Sequence, residues 1–410
     1  MATAETPAAT RVALPKPFLV WLSGALASQL GDAVLYFALG WSASAHGGSA
    51  AALVLTAANF PLCVLLLVGG VVGDRIGARR VMIVGDAVML GVTLVLAAVA
   101  HSFGAPLWLL IVLALVKGCV DAFYLPASGS MPRLLAEGAS LPRAFALRQA
   151  GSQTITLFGA PLGGVLVGLF GLVGAASVDS ATFAIVLCVL ISIRPSIPAP
   201  VSAERRGVAR EALDGLHYAA AHPVLRHGLV LLAAAAGCLL PVTSLLVPLL
   251  ARSHGWSAGQ AGLVVGAQSL GGVAVSLLVA RFGRLTRPGL IAPLALFGSA
   301  LGFVALAWAP NPATAATSVL FSGVCTGVFV SHLGPLMLTA APENYLSRIQ
   351  ALIALVQTGT LLVMNNVLGG LAHARGAAEA LALCAIVLAS AAAAACCSRT
   401  LRRAELAPAG

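Results

Sequence analysis

Charge is what this 410-residue sequence has least of. Asp, Glu, Lys and Arg make up 9% of it, against about 25% in an ordinary soluble domain, while 60% is apolar. No water-soluble fold covers so large an apolar core, so hydrocarbon must be the solvent for most side chains. The eight cysteines (Cys63, Cys119, Cys188, Cys238, Cys325, Cys384, Cys396, Cys397) fall almost wholly inside apolar segments, with no CxxC and no His at ligand spacing. That excludes a disulfide framework and a zinc module. HExxH and Asp-rich metal pairs are absent, so a membrane metalloenzyme lacks its clustered chemistry. A receptor or scaffold would carry extramembrane domains, and no loop exceeds one central polar stretch. The net charge of +10 comes without a basic stripe interleaved with aromatics, which argues against nucleic acid as a partner. No metal and no cofactor is expected.

Apolar stretches of roughly 20 residues, the length a helix needs to span a bilayer, recur from Phe18 almost to the C-terminus. Read against the Gly, Pro and Arg that punctuate them, they predict an all-α integral membrane fold of twelve transmembrane helices. These fall near 18–44, 49–73, 81–100, 106–128, 142–169, 173–193, 223–250, 258–280, 288–309, 313–340, 345–372 and 376–398. The first is too long for a signal-peptide core of ~7–15 residues and is expected to stay as an uncleaved helix. The longest polar stretch, 194–222, contains Arg194, Pro195, Glu204, Arg205, Arg206 and Asp214. It is expected to link an N-terminal six-helix bundle, 1–193, to a C-terminal one, 223–410.

With the N-terminus inside, 20 of the 23 Lys and Arg residues fall on one side, Arg252 and Arg375 on the other, and Lys117 within a span. Basic residues in short loops resist translocation. The termini and the linker are therefore expected in the cytoplasm, and the protein in the inner (plasma) membrane as a multi-pass chain. A shift of the sequence against itself by 206 positions (281 less 75) brings Arg75-Ile76-Gly77 onto Arg281-Phe282-Gly283, Gly163-Gly164 onto Gly369-Gly370 and Gly31 onto Gly237. The two halves thus read as pseudo-repeats, a plan that places a binding site between them near the midplane.

The loop after the second helix reads Gly70-Val71-Val72-Gly73-Asp74-Arg75-Ile76-Gly77-Ala78-Arg79-Arg80. This G-x-x-x-D-R-x-G-x-R-R run resembles the signature of the major facilitator superfamily, apart from Ala78, where a basic residue is commoner. The resemblance implies that Asp74, Arg75 and Arg79 lock the halves together on the cytoplasmic side when the cavity faces outward, with Gly70 and Gly77 as the glycines of the motif. Four shorter runs, Ser28 to Asp32, Gly118 to Ala127, Val178 to Phe183 and Trp256 to Gly262, are similar to the exporter branch that includes enterobactin-type siderophore exporters and macrolide efflux proteins. Pro342-Glu343 followed by Arg348 is similar to a reduced form of a later family loop. Gly159-Ala160-Pro161-Leu162-Gly163-Gly164 resembles the antiporter motif with its spacing altered by one residue; close helix packing is the other reading of it. The resemblance implies a monomeric secondary transporter that exports a small amphipathic molecule, a siderophore, macrolide or other drug, by alternating access, with the proton gradient as energy source. A facilitator or importer of the same fold remains the alternative.

Intramembrane charges are few, and each costs on the order of 2.5–3.5 kcal/mol to insert. Asp32 lies mid-way along the first helix, Lys117 and Asp121 in the fourth and Asp179 in the outer part of the sixth; these four are the candidates for proton coupling. Lys117 and Asp121, at i and i+4, share a helix face and are also able simply to neutralise one another. Asp86 is expected near the cytoplasmic end of the third helix, within reach of water. Under the 206 shift these charges meet Cys238, Ala292, Gly323, Gly327 and Ala385, so coupling is expected in the first half and apolar shape in the second. Gln29, Phe123, Gln268, Gln357 and Asn365 are the candidates for lining a substrate cavity.

Overall fold

The computed structural model describes residues 14–138, 140–193, 217–282, 287–340 and 346–398, less the side chains of 67, 74, 338, 346–348 and 351. Among them every element is helical and no strand occurs. The helices are α1 Lys16–Ser44, α2 Gly48–Ile76, α3 Ala78–Phe103, α4 Leu107–Leu135, then a stretch Ser140–Ser192, followed by α7 Pro223–Ser253, α8 Ala258–Phe282, α9 Pro288–Ala307, α10 Pro312–Thr339, α11 Leu346–Arg375 and α12 Ala377–Cys397.

Eleven of these are long and apolar enough to cross a membrane. One, Ser140–Ser192, has 53 residues, a length of roughly 80 Å against a hydrocarbon core of about 30 Å. It therefore crosses twice. Gly171, at φ 64° and ψ −161°, breaks it into α5 (140–170) and α6 (172–192), which completes the twelve. Proline opens α7, α9 and α10, where a missing N–H costs nothing because the first turn has no intrahelical acceptor. The sequence-derived ends were short for α2 and α4, which continue to Ile76 and Leu135. Helices do not stop where hydrocarbon does; the polarity change at Asp74 and Arg133 marks the interface, not the last hydrogen bond. Of the expected linker, 194–216 lies outside the described residues, and 217–221 is a helical turn ahead of α7.

Within α7 a π-turn, Val242–Leu246, lies between Pro241 and Pro248. Pro248 has no N–H to offer the carbonyl of Ser244 four residues earlier and its ring crowds that group, so the helix widens there.

Each half is a bundle. In the first, α1 packs on α5 and α6, α2 on α4, and α3 on α4 and α6; in the second, α8 packs on α10, α9 on α10 and α12, and α7 on α11 and α12. Lipid tails are as apolar as leucine, so close approach of backbones carries the association. Gly118 lies on the Ala58 carbonyl, and a Cβ at Gly271 would stand 2.6 Å from the Leu320 carbonyl.

The halves meet along two seams, α5 with α8 and α2 with α11. Of the glycines that align under the 206 shift, Gly164 and Gly369 lie at these seams. A Cβ on Gly164 would stand 2.5 Å from the Ala258 carbonyl and 3.0 Å from the Gly262 Cα, and one on Gly369 would stand 2.7 Å from the Gly48 carbonyl. Both seams gather at the arginine-poor end of the bundle, where an apolar core runs through both halves. At the arginine-rich end the first half keeps a separate core of its own around Phe18, Trp21, Met82, Met131 and Leu190. There Gly70, Gly73 and Gly77 face open space. Among the described residues the bundle is closed at one end and parted at the other.

Candidate functional site

Between the halves lies a cavity of about 600 Å³, walled by α1, α5, α7, α8, α10 and α11. That volume suits a drug-sized molecule. Its wall is mostly aliphatic, with Gln153, Thr156, Thr243, Ser244, Gln268 and Gln357 as hydrogen-bonding groups and Tyr36 as an aromatic one. Among the described residues no Asp, Glu, Lys, Arg or His lines it.

The intramembrane charges are grouped beside it, in the first half. Lys117 Nζ donates to Asp32 Oδ1 at 2.6 Å and lies 3.1 Å from Asp121 Oδ2. The lysine side chain is 9% exposed and the two carboxylates 30% and 29%, so one nearly buried ammonium is shared by two carboxylates with partial access to solvent. Asp179 is fully buried on α6. Gly31 provides room for it, since a Cβ there would stand 2.6 Å from Asp179 Oδ1, and neither carboxylate oxygen has a hydrogen-bond partner among the described residues. A buried carboxyl without a donor is costly as an anion, which sets it apart from an ordinary core residue.

Several expectations need correcting. Asp86 is not within reach of water but wholly buried, with Tyr124 O–H donating to its Oδ2 at 3.4 Å. Depth along α3 was readable, but the face was not, and this face packs on α4. Of the five cavity candidates, Gln268 and Gln357 line the cavity and the others do not. Phe123, two residues and so about 200° around the helix from Asp121, faces away from the charges into a separate apolar crevice of about 270 Å³ between α2, α3 and α4. Gln29 accepts from Ser152 Oγ at 2.8 Å, clamping α1 to α5. Asn365 is buried, and its Oδ1 has no hydrogen-bond partner among the described residues, while its neighbour Asn366 donates across the seam to Thr56 Oγ1 at 2.8 Å.

In the α2–α3 loop Gly77 has φ +93°, a conformation that favours glycine, and its N–H bonds the Gly73 carbonyl. Arg75 is exposed, and Arg79 donates to the carbonyls of Leu190 and Ile191 at 2.8 and 3.0 Å. Arg79 thus caps the end of α6 within its own half, as arginines near helix C-termini do, and reaches none of the described residues of the other half. The side chain of Asp74 lies outside the described residues, as do Pro342, Glu343 and the side chain of Arg348. The Gly159–Gly164 run is close packing in this structure: Gly159 abuts Ala33, Gly163 abuts Phe37 and Gly164 abuts α8.

Three residues of interest were missed by sequence reasoning. Tyr36, one turn after Asp32, was within reach of the i, i+4 rule. Ser244 was flagged only indirectly by the Pro241 and Pro248 that surround it. Arg252 had been used for topology alone; it donates through Nε to Ser44 Oγ and through Nη2 to the Trp41 carbonyl, both at 2.7 Å, with its guanidinium 4.3 Å from the Trp41 ring centroid.

A family model described as "Major Facilitator Superfamily" matches residues 21–364. The chain belongs to the Major Facilitator Superfamily. Superfamily membership makes it a transporter and not an enzyme, and its twelve helices make it a multi-pass membrane protein. It is similar to the multidrug efflux pump Tap of Mycolicibacterium fortuitum, 25% identical over 81% of this chain and 83% of that one. The enterobactin exporter EntS of Salmonella choleraesuis is 28% identical over 70% of this chain and 68% of its own. Solved structures share the fold: the nucleoside transporter NupG aligns with a TM-score of 0.73 at 13% identity, covering 94% of this chain and all of NupG. A POT family transporter bound to a thioalcohol-conjugated peptide aligns at 0.71 and 12% identity, covering 93% and 95%.

In a superfamily transporter the closed seam must reopen in each cycle, and Gly164 sets how tightly it shuts. Gly164→Val puts a branched side chain against backbone at Ala258 and Gly262, atoms that have no rotamer to escape by. Overpacking of this kind costs about 1–3 kcal/mol, all of it in the closed state. Hydrogen exchange at the facing ends of α5 and α8 should rise by about tenfold, and unchanged exchange would show that the seam tolerates the side chain.

Proposed function

We propose that this chain is a proton-coupled exporter of small amphipathic molecules that carry little or no charge. The observation behind this reading is the division of labour beside the midplane: a cavity wall without formal charge, and next to it Lys117 shared between Asp32 and Asp121. A proton arriving on one carboxylate frees the lysine for the other, so protonation and the position of the ammonium are tied. Because α1 and α4 belong to the same half, rocking of the halves carries the cluster as one body and changes its access to water. Asp179, behind Gly31, is a further proton-carrying candidate. The arginine distribution supports placing both termini and the parted end in the cytoplasm of a cell with this chain in its inner membrane, so the described state is the one that loads an exporter. The similarity to an efflux pump and a siderophore exporter supports a drug or siderophore as cargo.

Inverted membrane vesicles with an imposed proton gradient test this, using chloramphenicol as an uncharged amphipathic probe, a macrolide and a catecholate siderophore. Gradient-dependent accumulation of at least one is expected. Asp32→Asn should keep gradient-independent exchange of that compound and lose uphill accumulation by about a hundredfold, while Asp32→Glu keeps part of it. Equal accumulation by the Asn variant and the parent would move coupling to Asp121, Asp179 or Asp86. Equilibration of the compound to the same level with and without a gradient would favour a facilitator of the same fold.

A further inference from the structure

Among the described residues the cavity wall contains Gly159 on α5, Gly272 on α8, and Gly323 and Gly327 on α10. Helix packing accounts for all of these but one. A Cβ at Gly159 would stand 2.6 Å from the Ala33 Cβ, one at Gly327 would stand 3.1 Å from the Gly272 Cα, and one at Gly323 would collide with the Gln268 carbonyl. Gly272 is different. A Cβ there would meet nothing from another helix nearer than the Gly323 carbonyl at 3.8 Å, an ordinary van der Waals distance, and the residue is half-buried. Glycine inside a helix is unfavourable relative to alanine, yet no described neighbour requires it at this position. The space left by the missing side chain belongs to the cavity.

The surroundings of that space are chemically uneven. Gln268, Gly272 and Ser276 follow one another at single-turn spacing on one face of α8, with Ser269 and Val273 beside them, and all five line the cavity. Gly272 is therefore the middle of the α8 wall, with an amide one turn before it and a hydroxyl one turn after it. The hydroxyls nearby are engaged within the protein: Ser276 donates to the Gly272 carbonyl at 2.9 Å, and Thr326 Oγ1 of α10 lies 3.4 Å from Ser299 Oγ. Gln268 is not. Its Oε1 is buried without a hydrogen-bond partner among the described residues, which is costly for an acceptor. The terminal amide turns about a single bond, so a donor arriving in the cavity can satisfy it.

We infer that Gly272 is the specificity-determining position of the cavity. The open backbone at Gly272 seats the apolar body of an uncharged substrate at a depth that any side chain would occupy, as glycine does where a backbone approaches a ligand closely. The Gln268 amide takes the hydroxyl or amide N–H that the substrate carries beside that body. Both groups are on α8, so recognition is placed in the second half, apart from the Lys117 cluster of the first. This deepens the substrate class of the exporter reading above and rests on it, but it does not depend on proton coupling.

Equilibrium binding of radiolabelled chloramphenicol to the purified full-length protein tests this without any gradient, since the compound carries hydroxyls and an amide N–H beside an aromatic body. Gly272→Ala and Gly272→Val should weaken binding in order of side-chain size, by about tenfold for valine. Their thermal midpoints should not fall below that of the parent, because no neighbouring helix is displaced. Gly271→Ala is the packing control: its Cβ would stand 2.6 Å from the Leu320 carbonyl, so it should lower the midpoint. Gln268→Leu should weaken binding by about tenfold with the fold intact, and with Gly272→Ala it decides the matter if the valine variant folds poorly. Parental affinity in the Gly272 variants would overturn the inference and leave the exporter standing. Parental affinity with slowed transport in Gly272→Val would do the same, because the space at Gly272 would then serve closure of the cytoplasmic end. Parental affinity in Gln268→Leu would remove the amide from the site. Loss of gradient-driven accumulation in a parent that binds as expected would sink the coupled reading and not this one. A parent that binds no chloramphenicol overturns the substrate class on which both depend.

Discussion

Lys117→Met is expected to abolish gradient-driven transport and to lower the thermal midpoint of the purified protein by several degrees. The ammonium touches both Asp32 and Asp121 at hydrogen-bonding or ion-pair distance and is nearly buried. Removing one member of a fully buried group costs about 3–5 kcal/mol, and the cost here is at or below the lower end because the two carboxylates left without a partner are 30% and 29% exposed. Here two carboxylates would be left facing each other. The informative comparison is the variant that combines Lys117→Met with Asp32→Asn and Asp121→Asn. Its stability should return most of the way to that of the parent while transport stays absent, since the triple change removes the unpaired charge without restoring a carrier for the proton. Strong non-additivity of this kind is what a single network produces. Equal melting of the single and triple variants would mean that the three groups do not share their charge in the bilayer.

Arg252→Ala is expected to loosen the arginine-poor gate. The guanidinium makes two hydrogen bonds to the end of α1 and stacks on Trp41, joining residues 208 positions apart. A cation–π contact contributes between about 0.5 and 2 kcal/mol according to its exposure, and this arginine is half-buried; hydrogen bonds from a charged donor contribute about 1.5–3 kcal/mol each before solvent replaces them. Even a net loss of about 2 kcal/mol changes the ratio of closed to open states roughly thirtyfold. Amide exchange in the last turn of α1 and around Arg252 should accelerate by that factor. Arg252→Lys should fall between, since lysine keeps the charge but not the planar fork. Exchange unaltered by Arg252→Ala would reduce the residue to an interfacial anchor.

Legibility followed the range of the interaction concerned. Lys117 and Asp121 were readable as a pair because four residues along one helix fix their neighbourhood. Asp32 was readable as an anomaly in an apolar run, but its contact with Lys117 crosses 85 positions and depends on how α1 leans on α4. Phe123 and Asn365 were assigned to the cavity because position along a helix gives depth; the face they present is set by rotation against neighbours. A one-residue difference, about 100°, separates Asn365 in the interior from Asn366 at the seam. Gln29 and Asp86 failed for the same reason.

What the sequence determined alone was everything that depends on transfer between water and hydrocarbon or on strictly local backbone geometry. That includes the apolar spans, the glycine turn at Gly77 and the list of charges too costly to be incidental. Each follows from free energies that a segment carries with it wherever it is placed. Only the tertiary structure decided which end of the bundle is shut, which side chains face the cavity, and that Tyr36, Ser244 and Arg252 lie where the halves meet. Those outcomes depend on van der Waals contact between helices far apart in the chain, such as Gly164 on Gly262 and Gly369 on Gly48. Contact of that kind has no periodicity along the sequence, because the rotation and tilt that create it are properties of the pair and not of either helix.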